Sequence, residues 1–192
     1  PDRPLSHAVD GNKSNCDANH AGIGKDNDQA GTTSVYFQVD LEDVYELSSI
    51  NLYRYWNDGR SYTNSVVVVS ETEDFANATV IYNSDVNNIH GFGAGTDASY
   101  VETSEGKPFN FDAVNGRYVR VYMSGSTVGN TVHIVEIEVF GKEVETPEVP
   151  TVNKDALIAA IDNATAAYEN EAGYTPETYM VFKAMYEYAV MV

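Results

Sequence analysis

Residues 135–139 read Val-Glu-Ile-Glu-Val, a strict alternation of apolar and acidic side chains. Because successive side chains of a β-strand point to opposite faces, this pattern predicts a half-buried strand. Apolar residues alternate in the same way in residues 35–41, 67–69 and 119–121. Turn-forming residues lie between these stretches, and glycines are densest in residues 91–95. Many short strands separated by such turns predict an all-β fold, either an antiparallel sandwich or a barrel.

The character of the chain changes after Gly141, where prolines and acidic residues argue against a further central strand. We therefore predict a β-domain over residues 1–141 and a linker over residues 142–152. Beyond the linker, apolar residues recur at helical spacing and predict a short α-helical hairpin that Asn153 caps and Gly173 interrupts. The two apolar stripes are Leu157, Ile161, Ala164 and Tyr168, and then Tyr179, Phe182, Tyr186 and Ala189. Two helices bury only one face each, so we expect residues 153–192 to be part of a larger helical module with a third helix.

Composition narrows the possible partners. With 11 Lys and Arg against 29 Asp and Glu, the chain has a formal charge of −18, which disfavours nucleic acid and anionic membranes and leaves neutral ligands and cations. The single cysteine, Cys16, has no partner for an internal disulfide. No apolar run approaches the ~20 residues of a membrane span. If the chain is secreted or displayed on a cell surface, the lack of cysteine pairs suits a Gram-positive bacterium better than an animal ectodomain, where disulfides usually stabilise such domains.

The turn Asp10-Gly11-Asn12 and the strand residue Glu136 together suggest a calcium site. Calcium binds several oxygen atoms, usually a mixture of carboxylates and backbone carbonyls. A tight Asp-Gly-Asn turn offers one carboxylate and outward-pointing carbonyls, and Glu136 offers a second carboxylate. The alternative is that Asp10-Gly11 is an ordinary turn and that Glu136 is a solvated strand residue.

Four segments resemble, in order and spacing, the discoidin or coagulation-factor C-type domain family, and within it the bacterial family-32 carbohydrate-binding modules. These segments are residues 8–12 (AVDGN), 35–41 (VYFQVDL), 116–121 (GRYVRV) and 135–141 (VEIEVFG). The resemblance covers residues 1–141. It implies a jelly-roll, galactose-binding-like β-sandwich with a structural calcium ion and a shallow sugar site on loops at one end. Around Tyr174-Thr175-Pro176, the C-terminal segment is similar to small helical modules of bacterial surface glycosidases.

The resemblance also implies which residues would hold the calcium ion. The family pattern assigns the carboxylates of Asp10 and Glu136 and the carbonyls of His7, Asn12 and Val135. Where the family usually has a Ser or Thr ligand, this chain has Asn15, so it departs from the pattern at that position.

A sugar presents a weakly apolar face and a rim of hydroxyls, so its site needs an aromatic platform and polar groups. Residues 54–64 supply both. The candidates in this loop are Tyr55, Trp56, Asp58, Arg60 and Tyr62, and neighbouring loops add His20, His90, Phe92 and Asn130. We expect His133 to be structural. The alternative is that Asp58 and Arg60 form a local ion pair and that Trp56 plugs the end of the sandwich.

These patterns favour a non-catalytic carbohydrate-binding module, attached to further modules of a secreted bacterial glycoside hydrolase. The resemblance implies ligands such as the galactose or N-acetylhexosamine termini of host-type glycans. Nothing in the sequence places two carboxylates at the separation that glycosidases need, and no Ser-His-Asp order, zinc spacing or phosphate loop is present. The alternatives are a protein-adhesion module of the same fold and, third, part of a catalytic domain.

Overall fold

The computed structural model of the chain describes residues 3–14, 16–23, 34–144 and 153–191. The chain divides into two compact units, Pro1–Glu145 and Thr146–Val192. Among the described residues, the first unit contains a short 3₁₀ turn and six strands, all paired antiparallel in the order β1-β6-β2-β5-β3-β4. The turn spans Leu5–Ala8, and the strands are β1 (Ala21–Ile23), β2 (Val35–Arg54), β3 (Val66–Ser70), β4 (Thr79–Asn83), β5 (Lys107–Met123) and β6 (Val132–Glu143).

The two long strands, β2 and β5, each run through both layers of a sandwich. Residues 35–40 of β2 and 118–123 of β5 pair with each other, and this part of β5 also pairs with β3 to form the first layer. Residues 45–54 of β2 and 107–116 of β5 belong to the second layer, with β6 and β1. The register of β2 shifts between Asp40 and Tyr45, where Glu42 has a positive φ of 70°. β-bulges bend strands in this way, so one hydrogen-bonded sheet folds over on itself.

A single buried cluster fills the space between the layers. It joins Phe37, Val67, Val69, Val119 and Val121 of the first layer to Leu47, Ile50, Leu52 and Ile137 of the second. Gly116 lies where β5 changes layer, and a Cβ atom there would come 2.2 Å from Cγ1 of Val69. The prediction of an all-β sandwich is confirmed, because the alternating apolar positions, apart from Val135, lie in this cluster or pack against it.

Most loops of the β-unit lie at one end of the sandwich, which we call the loop end. β2 ends there at Arg54, β3 begins at Val66, β4 ends at Asn83 and β5 ends at Met123. The pairing register places these termini together with the start of β6, at the end opposite the bend in β2.

Strand β6 extends further than the sequence predicts. Lys142 and Glu143 pair with Glu46 and Tyr45 of β2, so the first two residues of the predicted linker continue the strand. The predicted linker residues 145–152 lie outside the described residues.

The second unit is a helical hairpin, as predicted. Helix α1 spans Asp155–Tyr168 and helix α2 spans Pro176–Met191, with a 3₁₀ turn at Glu171–Gly173 between them. The rings of Tyr168 and Tyr186 stack at 4.3 Å, and the Tyr179 hydroxyl donates to the carbonyl of Tyr168 at 2.8 Å. Both predicted apolar stripes are the buried or half-buried faces of their helices. No helix among the described residues is long and apolar enough to cross a membrane.

Candidate functional site

The loop between β2 and β3 carries an ion pair at the loop end of the sandwich. Arg60 donates from Nε to Oδ1 of Asp58 at 2.8 Å and from Nη2 to Oδ2 at 2.5 Å. Gly59, with a positive φ of 71°, closes the turn that brings the two side chains together. The guanidinium lowers the pKa of the Asp58 carboxyl, which stays charged. Arg60 is 11% exposed and Asp58 38% exposed, so the carboxylate remains open to a ligand.

Three aromatic rings surround this ion pair. The guanidinium of Arg60 lies 4.3 Å from the centre of the Tyr55 ring, a cation–π arrangement. His133 lies 5.6 Å from Tyr55 and 4.7 Å from His20, measured between ring centres, and its Nδ1 faces Nη1 of Arg60 at 3.0 Å. Two of the candidate sugar-binding residues, Tyr55 and His20, thus lie near the Asp58–Arg60 ion pair, which was the alternative interpretation of those two residues, and His133 contacts Tyr55, His20 and Arg60.

The two histidines of this group are neutral at pH 7. Burial lowers the pKa of His133 to about 3, with repulsion from His20 once it is protonated, and from the guanidinium groups of Arg60 and Arg3, acting in the same direction. Burial also lowers the pKa of His20, against the opposing effect of its hydrogen bond to Cys16. His20 Nδ1 donates to the carbonyl of Cys16 at 2.6 Å, so Nε2 is an acceptor, and it has no hydrogen-bond partner among the described residues.

Arg3 is part of the site, although the sequence analysis did not identify it. Its Nη1 atom lies 2.9 Å from Nε2 of His133. A Cβ atom at Gly22 would lie 2.9 Å from Cδ of Arg3 and 3.1 Å from Cδ2 of His133, so the glycine in β1 leaves the space that the arginine stem occupies. A separation of 130 residues between Arg3 and His133 leaves no local signal in the sequence.

Asp17 fixes the positions of Tyr55 and Asn57 by hydrogen bonds. Its Oδ1 accepts a short hydrogen bond from the Tyr55 hydroxyl, and its Oδ2 accepts one from Nδ2 of Asn57 at 2.5 Å. The Asp17 carboxylate raises the pKa of Tyr55 to about 12, so the phenol remains protonated. Trp56, the next residue, is half-buried and keeps part of its surface accessible.

Tyr62 does not belong to the exposed group, contrary to the prediction. It is 1% exposed and lies in the core with its ring 4.6 Å from the guanidinium carbon of Arg54. Arg54 is buried too, pairs with Glu102 at 2.7 Å and donates to Ser65 at 2.7 Å. Because the Tyr62 ring lies in the core, a ligand at the surface cannot reach it.

His90 and Phe92 lie on a different part of the surface from the Tyr55 group. Both rings pack near Tyr122, at 5.3 Å and 5.2 Å, on the face of the first layer that points away from the core. His90 Nε2 donates to the carbonyl of Asn64 at 2.6 Å. This corrects the expectation that their loop converges on the ion pair. Asn130 lies in the loop between β5 and β6, three residues before His133.

Three of the predicted calcium residues, Asp10, Asn12 and Glu136, lie close together beside β6. Gly11, at a positive φ of 78°, donates from its backbone nitrogen to Oε2 of Glu136 at 2.9 Å. Asp10 Oδ1 accepts from Asn12 N at 2.9 Å and from Asn19 Nδ2 at 3.1 Å, and the Asn12 backbone bond lowers the Asp10 pKa. The turn is therefore tied to β6, as the predicted site requires.

Two further observations fit a cation at this position. Glu136 is buried, and burial raises its pKa, with the negative charges of Asp10 and Glu138 acting in the same direction. Tyr53 of β2 pairs with Glu136 of β6, and the next residue, Arg54, pairs with Ile134, so Val135 between them has no partner on β2. Such a bulge releases the Val135 carbonyl from the ladder.

Other observations neither support nor oppose the predicted calcium site. The Asn12 carbonyl already accepts from Asn19 at 3.1 Å, but a carbonyl has a second lone pair. Asn15 lies outside the described residues. Among the described parts of the chain, no three His, Cys, Asp or Glu side chains are placed to hold a metal, so a calcium ion here would depend on carbonyls beside two carboxylates.

Comparison with known proteins identifies the fold. No family model and no curated protein matches the chain. Among solved structures, a family 89 glycoside hydrolase from Clostridium perfringens in complex with 2-acetamido-1,2-dideoxynojirmycin matches 85% of this chain with a TM-score of 0.52 and 22% identity. This chain spans 16% of the length of that hydrolase.

Two isolated modules match over most of their own length. CBM32-1 from a family 31 glycoside hydrolase of Clostridium perfringens has a TM-score of 0.51 and 20% identity, over 73% of this chain and 86% of the module. The CBM32 of AlyQ, in complex with 4,5-unsaturated mannuronic acid, has a TM-score of 0.51 and 17% identity, over 71% and 84%. At these identities the likeness shows the fold, a jelly-roll β-sandwich of the type seen in CBM32 modules.

Proposed function

We propose that this chain is a non-catalytic carbohydrate-binding module of a secreted bacterial glycoside hydrolase. The observation that carries the proposal is the group of Tyr55, Asp58, Arg60 and His20 at the loop end, beside the half-buried Trp56. The likeness to CBM32 modules supports it, as does the match to part of a much longer hydrolase. A Gram-positive source agrees with the Clostridium perfringens proteins among these structures.

The arrangement offers what a shallow sugar site needs. Asp58 presents carboxylate oxygens that accept from neighbouring hydroxyls, while the Arg60 ion pair keeps the carboxylate charged and oriented. Tyr55 and Trp56, both half-buried, supply an apolar surface for the C–H face of a sugar, whereas Nε2 of His20 is buried and out of a ligand's reach. We propose terminal galactose or N-acetylhexosamine as the ligand, bound in the range of about 10⁻⁴ to 10⁻³ M that is equivalent to about −4 to −5.5 kcal/mol.

The electrostatics of the group favour binding over glycoside hydrolysis. A glycosidase needs one carboxyl group with a raised pKa as the general acid. Asp58 has the opposite shift, because Arg60 holds its pKa below the usual value. Asp17 is engaged by Tyr55 and Asn57.

A glycan array followed by calorimetry tests this function. We expect binding to galactose- or N-acetylhexosamine-terminated glycans, and its loss in Asp58→Ala and Trp56→Ala variants. Asp40→Ala is the matched control, because Asp40 is as exposed as Asp58 (40% against 38%) and forms an ion pair with Arg117 at the opposite end of the sandwich. No binding to any glycan, or equal effects of Asp58→Ala and Asp40→Ala, would contradict the proposal and favour a protein-adhesion module.

We also propose a structural calcium ion held by the Asp10 and Glu136 carboxylates and by the carbonyls of His7, Asn12 and Val135. Buried Glu136 beside Asp10 and the bulge at Val135 support this assignment. The ion would neutralise the carboxylates of Glu136 and Asp10 and would tie the N-terminal turn to β6. Chelation should lower the melting temperature of the native protein but not that of an Asp10→Ala variant. Identical melting curves with and without calcium would count against the site.

A further inference from the structure

Two arginines at the loop end contact the same buried imidazole. Nη1 of Arg3 lies 2.9 Å from Nε2 of His133, and Nη1 of Arg60 lies 3.0 Å from Nδ1. A neutral imidazole has one N–H group and one acceptor nitrogen. Because His133 is neutral, it accepts a hydrogen bond from only one of the two arginines. The other guanidinium therefore points its N–H group at the N–H group of the His133 ring, where it finds no acceptor.

Arg60 has a carboxylate partner and a covering aromatic ring, whereas Arg3 has neither among the described residues. Asp58 accepts from Nε and Nη2 of Arg60, and the ring of Tyr55 covers its guanidinium. Arg3 is exposed, and no ion pair among the described residues includes it. The packing of its stem in the space left by Gly22 holds its guanidinium next to His133. Arg3 is thus a cation held in place beside His133, and none of the described carboxylates forms an ion pair with it.

The charges around His133 are asymmetric. Arg3 lies on the Nε2 side of the ring, and the Arg60–Asp58 pair lies on the Nδ1 side. A ligand that spans these two sides would meet the Asp58 carboxylate, which accepts hydrogen bonds from hydroxyls, at one end and the Arg3 guanidinium at the other. A neutral hexose uses the first end only, whereas a sugar with one carboxylate uses both, because guanidinium and carboxylate form paired charge-assisted hydrogen bonds.

We propose that the ligand of this site is a terminal hexuronic acid residue of galactose configuration, whose carboxylate binds Arg3 while its ring hydroxyls bind Asp58. This inference rests on the proposed carbohydrate-binding function. It also qualifies the expectation, drawn from the charge of −18, that the ligand is neutral. Charges more than about 8 Å away are screened at physiological ionic strength, so a single carboxylate responds to Arg3 more than to distant acids. A long polyanion would meet those acids directly.

The test compares two ligands that differ only at C6. The native chain is titrated by calorimetry, at physiological salt, with methyl α-D-galactopyranoside and with sodium methyl α-D-galactopyranosiduronate. We expect the uronate to bind about tenfold more tightly, the factor that one additional charge-assisted pair of about 1.4 kcal/mol provides. Arg3→Gln should reduce this ratio to about one.

Arg120→Gln is the matched control. Arg120 also lacks a carboxylate partner among the described residues, but it binds the Gln38 side chain and the Tyr122 hydroxyl on the outer face of the first layer. Its substitution should preserve the tenfold ratio. Arg3→Lys, which keeps the charge but loses the planar fork, should give an intermediate ratio.

The outcomes separate this inference from the proposed function. Galactoside binding with equal or weaker uronate binding would overturn the inference and leave the proposed function intact. A preserved ratio in Arg3→Gln, with an unchanged melting temperature, would overturn the role of Arg3. Failure of both sugars to bind the native chain would overturn the proposed function, and this inference with it.

Discussion

The buried ion pair between Arg54 and Glu102 provides a quantitative test of the structure. Both side chains are 1% exposed, with Nη2 and Oε1 2.7 Å apart. Arg54 is also enclosed by the rings of Tyr62 and Tyr100, at 4.6 Å and 4.9 Å from its guanidinium carbon. Glu102 donates its backbone N–H to the Arg60 carbonyl at 2.9 Å, so the pair lies directly below the candidate sugar site.

Replacing Glu102 with Ala should leave an uncompensated charge in the core. Loss of one partner of a buried pair costs about 3–5 kcal/mol. With a urea m-value of about 2 kcal/mol/M, the unfolding midpoint should fall by about 1.5–2.5 M. Trp56, the only tryptophan, reports unfolding of the β-unit through its fluorescence. Asp40→Ala, at an ion pair that is about 40% exposed, should cost no more than about 1 kcal/mol.

A double variant separates the loss of the charge pair from the loss of packing. Burial raises the pKa of Glu102 even though Arg54 faces it, so desolvation outweighs the attraction between the two charges. Arg54→Met combined with Glu102→Leu removes both charges and should recover most of the lost stability. The reasoning would be refuted if Glu102→Ala cost no more than Asp40→Ala, or if the double variant were less stable than Glu102→Ala alone.

Three further predictions concern stability. The pKa of His133 is about 3 in the folded state, below its usual value of 6.5, so as the pH falls the unfolded chain binds a proton first and stability should decrease from pH 7 to pH 4. His133→Gln should show a weaker pH dependence of the melting temperature. A pH dependence equal to that of the native chain would contradict this prediction. Gly116→Ala should cost about 1–3 kcal/mol in urea unfolding, because the methyl group would overlap Val69, and an unchanged midpoint would show that the crossing relaxes. Tyr179→Phe removes the hydrogen bond to the Tyr168 carbonyl and should destabilise the hairpin by about 0.5–1.5 kcal/mol, measured by circular dichroism. Tyr188→Phe, at a residue that is 72% exposed, should have no effect. Equal effects of the two substitutions would refute the role of the Tyr179 hydrogen bond.

Periodic patterns in the sequence predicted the parts of the structure that depend on local burial. Alternation at residues 35–41 and 135–139 predicted strands because a half-buried strand exposes every second side chain, and β2 and β6 cover these residues. The spacing of Tyr179, Phe182 and Tyr186 predicted the buried face of α2 for the same reason, at helical period. The adjacency of Asp58 and Arg60 was also sufficient to raise their ion pair as an alternative.

The site itself depends on contacts between distant segments. Arg3, Asp17 and His133 join Tyr55 and Arg60 only because β1, β2 and β6 are neighbours in the second layer, and strand order leaves no periodic signal in the sequence. Conversely, Tyr62 and Phe92 look like exposed loop aromatics, but Arg54 and Tyr122 cover them. A residue's own segment determines its secondary structure through local burial, whereas its partners and its access to solvent are set by the strands that the fold brings beside it.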